Sequence, residues 1–179
     1  KIFFFVKKFL LILLILTELI FVAQPIFAQT PVSTGASSAI LKSNQTKNDN
    51  RVEKLGLFLK KYNSPLVPYA QEFVSAADTY DLDWRLVPAI TGVESTFGRQ
   101  IPARSFNAYG WNNGAFKFKS WENSIWQVSQ ALRENYLNKG ADNIWKIGRR
   151  YAPPSSTWAG RVIGFMAQIE ATSDFTLDL

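Results

Sequence analysis

Glu94 lies in the stretch Val87-Pro-Ala-Ile-Thr-Gly-Val-Glu-Ser-Thr-Phe-Gly98, four residues past Ile90 and next to Val93. At helical spacing it falls on the margin of an apolar face, close to the end of the helix that Gly98 is expected to stop. Partial burial desolvates a charged carboxylate, and a helix C-terminus presents it with negative dipole. Both effects raise its pKa, toward a range where a carboxyl stays protonated near neutral pH and can donate a proton. The chain's composition narrows the chemistry to carboxylates, to Tyr, Ser or Lys, to an oxygen-ligated metal, or to plain binding. With no histidine and no cysteine, disulfides, Cys-bearing zinc sites, thiol nucleophiles and the Ser-His-Asp triad are excluded. The alternative for Glu94 is a solvated helix residue paired with Arg99.

The residues downstream suggest what such a proton would serve. Asn107, Tyr109, Trp111, Asn112, Asn113, Phe116 and Trp121 make a run rich in amides and aromatic rings. Sugar C–H faces stack on Trp and Tyr, while hydroxyls and N-acetyl groups pair with Asn and backbone. A proton-donating carboxyl beside them is what glycosidic bond cleavage needs. Phe97, Phe106 and Phe118 are expected in the core. Tyr109 and Trp111, beside a glycine and a polar turn, are expected at the surface.

The elements that must position these groups are mainly α-helical. Asn50 opens a helix with Val52, Leu55, Phe58 and Leu59 on one face, and Ser64-Pro65 starts a second that runs to Tyr80. Asp83 caps a third, through Leu86, Ile90, Val93 and Phe97. Ser120 caps a fourth, with Trp121, Ile125, Val128, Leu132 and Tyr136. Asp142 opens a short fifth helix, Ile144 to Arg149, and the last runs from about Thr157 to Glu170. Between the third and fourth helices, Asn112-Asn113-Gly114 amid alternating residues predicts a small β-hairpin lobe.

Val93-Glu94-Ser95-Thr96-Phe97-Gly98, followed by Asn107-Ala108-Tyr109-Gly110-Trp111, resembles the Glu-Ser-x-aromatic-Gly … Asn-x-aromatic-Gly pattern of the lysozyme-like glucosaminidases. These comprise glycoside hydrolase family 73 and the mannosyl-glycoprotein endo-β-N-acetylglucosaminidase-like domains. The likeness continues through Phe118-Lys-Ser-Trp-Glu122 and Tyr151-Ala-Pro to a closing helix with Trp158, covering about residues 84–170. Lytic transglycosylases share the Glu-Ser signal. The resemblance implies a lysozyme-like helical domain that cleaves β-1,4 bonds at N-acetylglucosamine or N-acetylmuramic acid, with no cofactor and no metal. Its substrate would be peptidoglycan or another N-acetylglucosamine-containing glycan. By the same resemblance Glu94 matches the catalytic acid, Tyr151 a tyrosine lining the site, and Asn107, Tyr109 and Trp111 the cleft floor.

Two departures bear on mechanism. The family often reads Asn-Leu-Phe-Gly-Ile-Lys where this chain has Asn-Ala-Tyr-Gly-Trp-Asn. Its usual second carboxylate has no counterpart, since residues 99–121 contain no Asp or Glu. Glu122 is the nearest acid downstream. Two residues after Ser120 it suits stabilisation of a helix N-terminus, and a role as water-activating base remains the alternative. The transglycosylase reading and a glycan-binding module without turnover stand beside the hydrolase.

The 179 residues suffice for one domain with a leader. Lys1, Lys7 and Lys8 precede an apolar run from Phe9 to Ala23, and Ile26-Phe27-Ala28 resembles a signal-peptidase site. Residues 1–28 are therefore expected to be a signal peptide or membrane anchor, with the remainder secreted, periplasmic or attached to the cell envelope. The Ser/Thr/Asn/Gln-rich stretch 29–50 reads as a flexible linker and 51–179 as the folded domain. The net charge of +6 falls to +4 without residues 1–28, as three Lys and one Glu leave 17 basic and 13 acidic residues; a mildly basic domain suits an anionic surface such as a cell wall, with ordinary solubility as the alternative. Dispersal of the charge argues against nucleic acid, and membrane contact is expected only through the N-terminal segment. Asp81 and Asp83 are too few for a metal site, and Ser155-Ser156-Thr157 reads as a helix cap.

Overall fold

The computed structural model describes residues 49–173. The expected leader, all of the linker before Asp49, and the last six residues of the chain lie outside the described residues. Six α-helices follow in order: α1 (Arg51–Lys61), α2 (Ala70–Thr79), α3 (Leu86–Ser95), α4 (Trp121–Ala131), α5 (Ile144–Tyr151) and α6 (Trp158–Glu170). Among the described residues none is long and apolar enough to cross a membrane.

The helices arise from the apolar spacing and its caps. Ser120 accepts the Asn123 N–H to start α4, and Asn143, one residue after the expected Asp142, does the same for Lys146 at the start of α5. Asp83 accepts the Arg85 N–H and its guanidinium, fixing the entry to α3. Ser155 accepts the Trp158 N–H ahead of α6. Asn50 sits at the α1 cap position without a side-chain bond. Buried faces of α1 to α4 and α6 then close on one core, in which Leu55, Phe58, Leu59, Ile90, Ile125 and Val162 are essentially inaccessible. The apolar contact removed from water there is the main stabilising term. α3 packs chiefly on α6, and α2 on α4.

Two departures from the expected elements matter for the site. α3 ends at Ser95, not at Gly98, because Thr96 is already left-handed (φ 52°) and Phe97 and Gly98 follow with φ 57° and 80°. Left-handed backbone costs a non-glycine residue roughly 1–2 kcal/mol, and what offsets it here is visible. The Phe97 N–H returns to the Thr91 carbonyl, its own carbonyl accepts the Ser64 hydroxyl, and its ring fills the core between Phe58 and Phe165. Gly92 makes room for that ring: a Cβ there would come within 2.5 Å of it.

The second departure is the lobe. Among the described residues there is no β-strand, and residues 101–119 form successive turns instead of the expected hairpin. Asn112 and Asn113 do sit in a tight turn, both with φ 51°, but the flanking segments form no ladder and, beyond the turn's own bonds, share one backbone bond, from the Phe118 N–H to the Ser105 carbonyl. Asn107 takes the place of a ladder. Its amide donates to the carbonyls of Trp111 and Phe116, and its oxygen accepts the N–H groups of Tyr109 and Trp111. Both ends of one side chain are thus bound to the loop backbone, where a hairpin would have further cross-strand bonds.

Candidate active site

Glu94 occupies the last turn of α3, and its placement follows from its neighbour. Ser95 is buried, and its single O–H lies within bonding distance of the carbonyls of both Thr91 and Ala108, while its oxygen accepts the Gly98 N–H. One side chain thus ties the helix end to the Asn107–Trp111 loop and sets the carboxyl of residue 94 against that loop. Glu94 is half-buried. Its Oε1 accepts the indole N–H of Trp158 at 2.7 Å. Its Oε2 abuts Gly110, where an added Cβ would stand 2.7 Å away. Gly110 has φ +71°, a conformation glycine adopts without strain, so the loop needs glycine there for its backbone as well as for the carboxyl.

Burial raises the Glu94 pKa above the ordinary glutamate value. The Trp158 bond and the positive charge of Arg161 work against that and are outweighed. Among the described residues no salt bridge reaches the carboxylate, so pairing with Arg99 is not what the structure has. Arg161, one turn along α6 from Trp158, is the cation whose charge reaches Glu94, and it also donates to the Val93 carbonyl.

Beside the carboxyl opens a cleft of about 390 Å³, lined by Gly110, Trp111, Asn112, Asn113, Phe116, Tyr136 and Tyr151. Tyr151, at the end of α5, donates its hydroxyl to the Tyr109 carbonyl at 2.7 Å and stacks on Trp158, centroids 5.0 Å apart. Burial and the nearby Glu94 charge hold its phenol well above the usual tyrosine range, so it stays neutral. Tyr136 arrives by an irregularity. α4 passes into a π turn, Leu132–Tyr136, which shifts the register and brings this ring to the cleft.

The residues expected at the site divide into three groups. Trp111 and Tyr151 line the cleft, and Glu94 stands behind Gly110, in contact with that lining residue without lining the cleft itself. Asn107 and Tyr109 belong to the same loop but lie beneath it, 2% and 0% exposed. Tyr109 was expected at the surface. Instead its ring packs on Phe118 and its hydroxyl pairs with Ser124, so it reaches the site only through its carbonyl. Glu122 stands apart, exposed in the first turn of α4. Bonds from its own N–H and from Ser120 lower its pKa, the signature of helix N-terminal stabilisation. It does not line the cleft.

Trp158, Arg161, Gly110 and Tyr136 join the site although sequence reasoning assigned them no part in it. For Trp158 a signal existed, since a buried indole N–H needs an acceptor and Glu94 was the acid already placed on an apolar margin. Nothing in the spacing announced Tyr136. Among the described residues no cluster of three or more His, Cys, Asp or Glu could hold a metal ion. Asp81 and Asp83 are occupied by Arg133 and Arg85. Compared with models of known protein families and with curated proteins, the chain matches none.

Proposed function

We propose that the protein is a glycosidase of the cell envelope, with a lysozyme-like helical domain that cleaves β-1,4 bonds at N-acetylglucosamine or N-acetylmuramic acid in peptidoglycan. The observation that carries this reading is the carboxyl of Glu94. It is half-buried, raised in pKa and fixed by an indole beside a cleft walled by Trp111, Phe116, Tyr136 and Tyr151, with Asn112 and Asn113 at the turn. Aromatic faces suit pyranose rings, and the exposed amides suit their hydroxyl and acetamido groups. Glu94 protonates the glycosidic oxygen as the bond to C1 breaks.

The positive charge developing at C1 then requires a partner. The cleft lining contains no Asp or Glu, and Glu122 is engaged at its own helix end. The partner that fits is the substrate's acetamido oxygen, which closes on C1 and gives way to water, Glu94 accepting the water's proton. The lack of a second acid favours one further reading on equal chemistry. If the 6-hydroxyl of the same sugar attacks C1, the product is an anhydro sugar and the enzyme a lytic transglycosylase.

Incubating purified peptidoglycan with the protein and with its Glu94→Gln variant tests the proposal. Soluble fragments should appear with the first and fall about 10²- to 10⁴-fold with the second. Equal release by a folded Glu94→Gln variant would end the assignment of Glu94. Retention of glycan with no release by either protein would replace the enzyme with a binding module.

A further inference from the structure

The two oxygens of the Glu94 carboxyl meet different surroundings. Oε1 takes the Trp158 indole N–H at 2.7 Å, while Oε2 faces the bare Cα of Gly110 at the cleft wall. An indole N–H donates and never accepts. A protonated carboxyl carries its hydrogen on one oxygen, and a hydrogen on Oε1 would make that oxygen the poorer acceptor for the indole N–H, so the bond favours the hydrogen on Oε2. We propose that Trp158 is a positioning residue, which confines the transferable proton of Glu94 to Oε2, the oxygen that lies against the cleft-lining Gly110. The inference rests on Glu94 being the acid of the reaction proposed above.

Trp158 is itself held firmly enough for this task. Its ring is 2% exposed, stacked on Tyr151 and backed by Gly148, where an added Cβ would stand 3.0 Å from the indole. Tyr151 is anchored in turn on the Tyr109 carbonyl. The other titratable or charged groups facing Glu94 are Arg161 from α6 and the neutral phenol of Tyr151 from α5. Neither supplies a hydrogen bond to the carboxyl, so the indole alone distinguishes its oxygens.

Two measurements on the full chain test the assignment. In an NMR pH titration of the wild-type protein, the Trp158 indole proton should shift with the same midpoint as the Glu94 carboxyl carbon. An indole resonance that stays flat while the carboxyl titrates overturns the proposal. In Trp158→Phe, loss of a bond that favours the ionised carboxyl should move the alkaline limb of the pH–rate profile upward. kcat on the acid plateau should drop roughly ten- to hundredfold with KM within about twofold, since an unpinned acid is misplaced without loss of sugar contacts. An unmoved limb with unchanged kcat overturns the proposal equally. Should Trp158→Phe not fold, the wild-type titration decides by itself. If the wild-type protein cleaves no glycan, the reading of function fails, and the titration still decides what Trp158 does.

Discussion

Glu94 is subject to opposed influences, and burial is the stronger. The Trp158 bond and the Arg161 charge favour the ionised form, yet its pKa lies above the ordinary glutamate value. The consequence for stability has a definite sign. A carboxyl raised in the native state contributes fully below its unfolded pKa, and that contribution is lost as pH rises through the native pKa. Glu94→Gln has no such titration. The melting temperature of the wild-type protein should therefore fall relative to that variant as pH rises from about 4, the ordinary glutamate range, through the raised native pKa, and parallel curves would mean that Glu94 is not desolvated. Trp111 makes a different contribution, as a half-buried ring at the cleft. In Trp111→Ala, KM for a soluble glycan should rise about tenfold, the equivalent of one stacking contact, with kcat less affected. Steady-state kinetics separates the two.

The end of α3 and the loop it meets act as one element. Ser95→Ala removes a hydroxyl whose one hydrogen is shared between two carbonyls and whose oxygen accepts the Gly98 N–H, and should cost about 1–3 kcal/mol in urea denaturation. Activity should fall more than occupancy of the fold requires, because the same bonds set Glu94 against Gly110. In Asn107→Asp a carboxylate would replace the amide that donates to the Trp111 and Phe116 carbonyls. Glycan affinity should then drop while the helical circular dichroism spectrum stays intact. The helices were legible because their evidence is local: Ser120 before Trp121 announces a cap, and Leu55, Phe58 and Leu59 mark a face. The lobe was not legible, because Asn112-Asn113-Gly114 specifies a turn but not whether the segments beside it pair. That was decided by Asn107, whose bonds across 9 residues to Phe116 have no sequence period. The exposure expected for Tyr109 failed for the same reason, since Phe118 and Ser124 enclose it from outside the motif. Glu94 itself was legible because apolar spacing and a helix end, both local, sufficed to mark it.

Across the whole molecule, the core and not the charged surface holds the site together. Glu170 near the end of α6 pairs with Lys54 of α1 and with Arg85 just before α3, but its side chain is half exposed and such pairs contribute little. Glu170→Ala should cost at most about 1 kcal/mol, and Phe58→Ala, at 1% exposure, about 3–5 kcal/mol. Chemical denaturation of the two variants should separate them clearly. The net charge of +4 over residues 29–179, 17 basic against 13 acidic, favours approach to an anionic wall and should make binding to it weaken with added salt. The measurement that bears most directly on the molecule's proposed role is mass spectrometry of the ends created in peptidoglycan. Reducing or anhydro sugar ends should appear with the wild-type protein and be lost with Glu94→Gln, the kind of end telling water from the 6-hydroxyl as the attacking group. New ends made equally well by the folded variant would contradict the assignment of Glu94, and bound glycan with no new ends would contradict catalysis altogether.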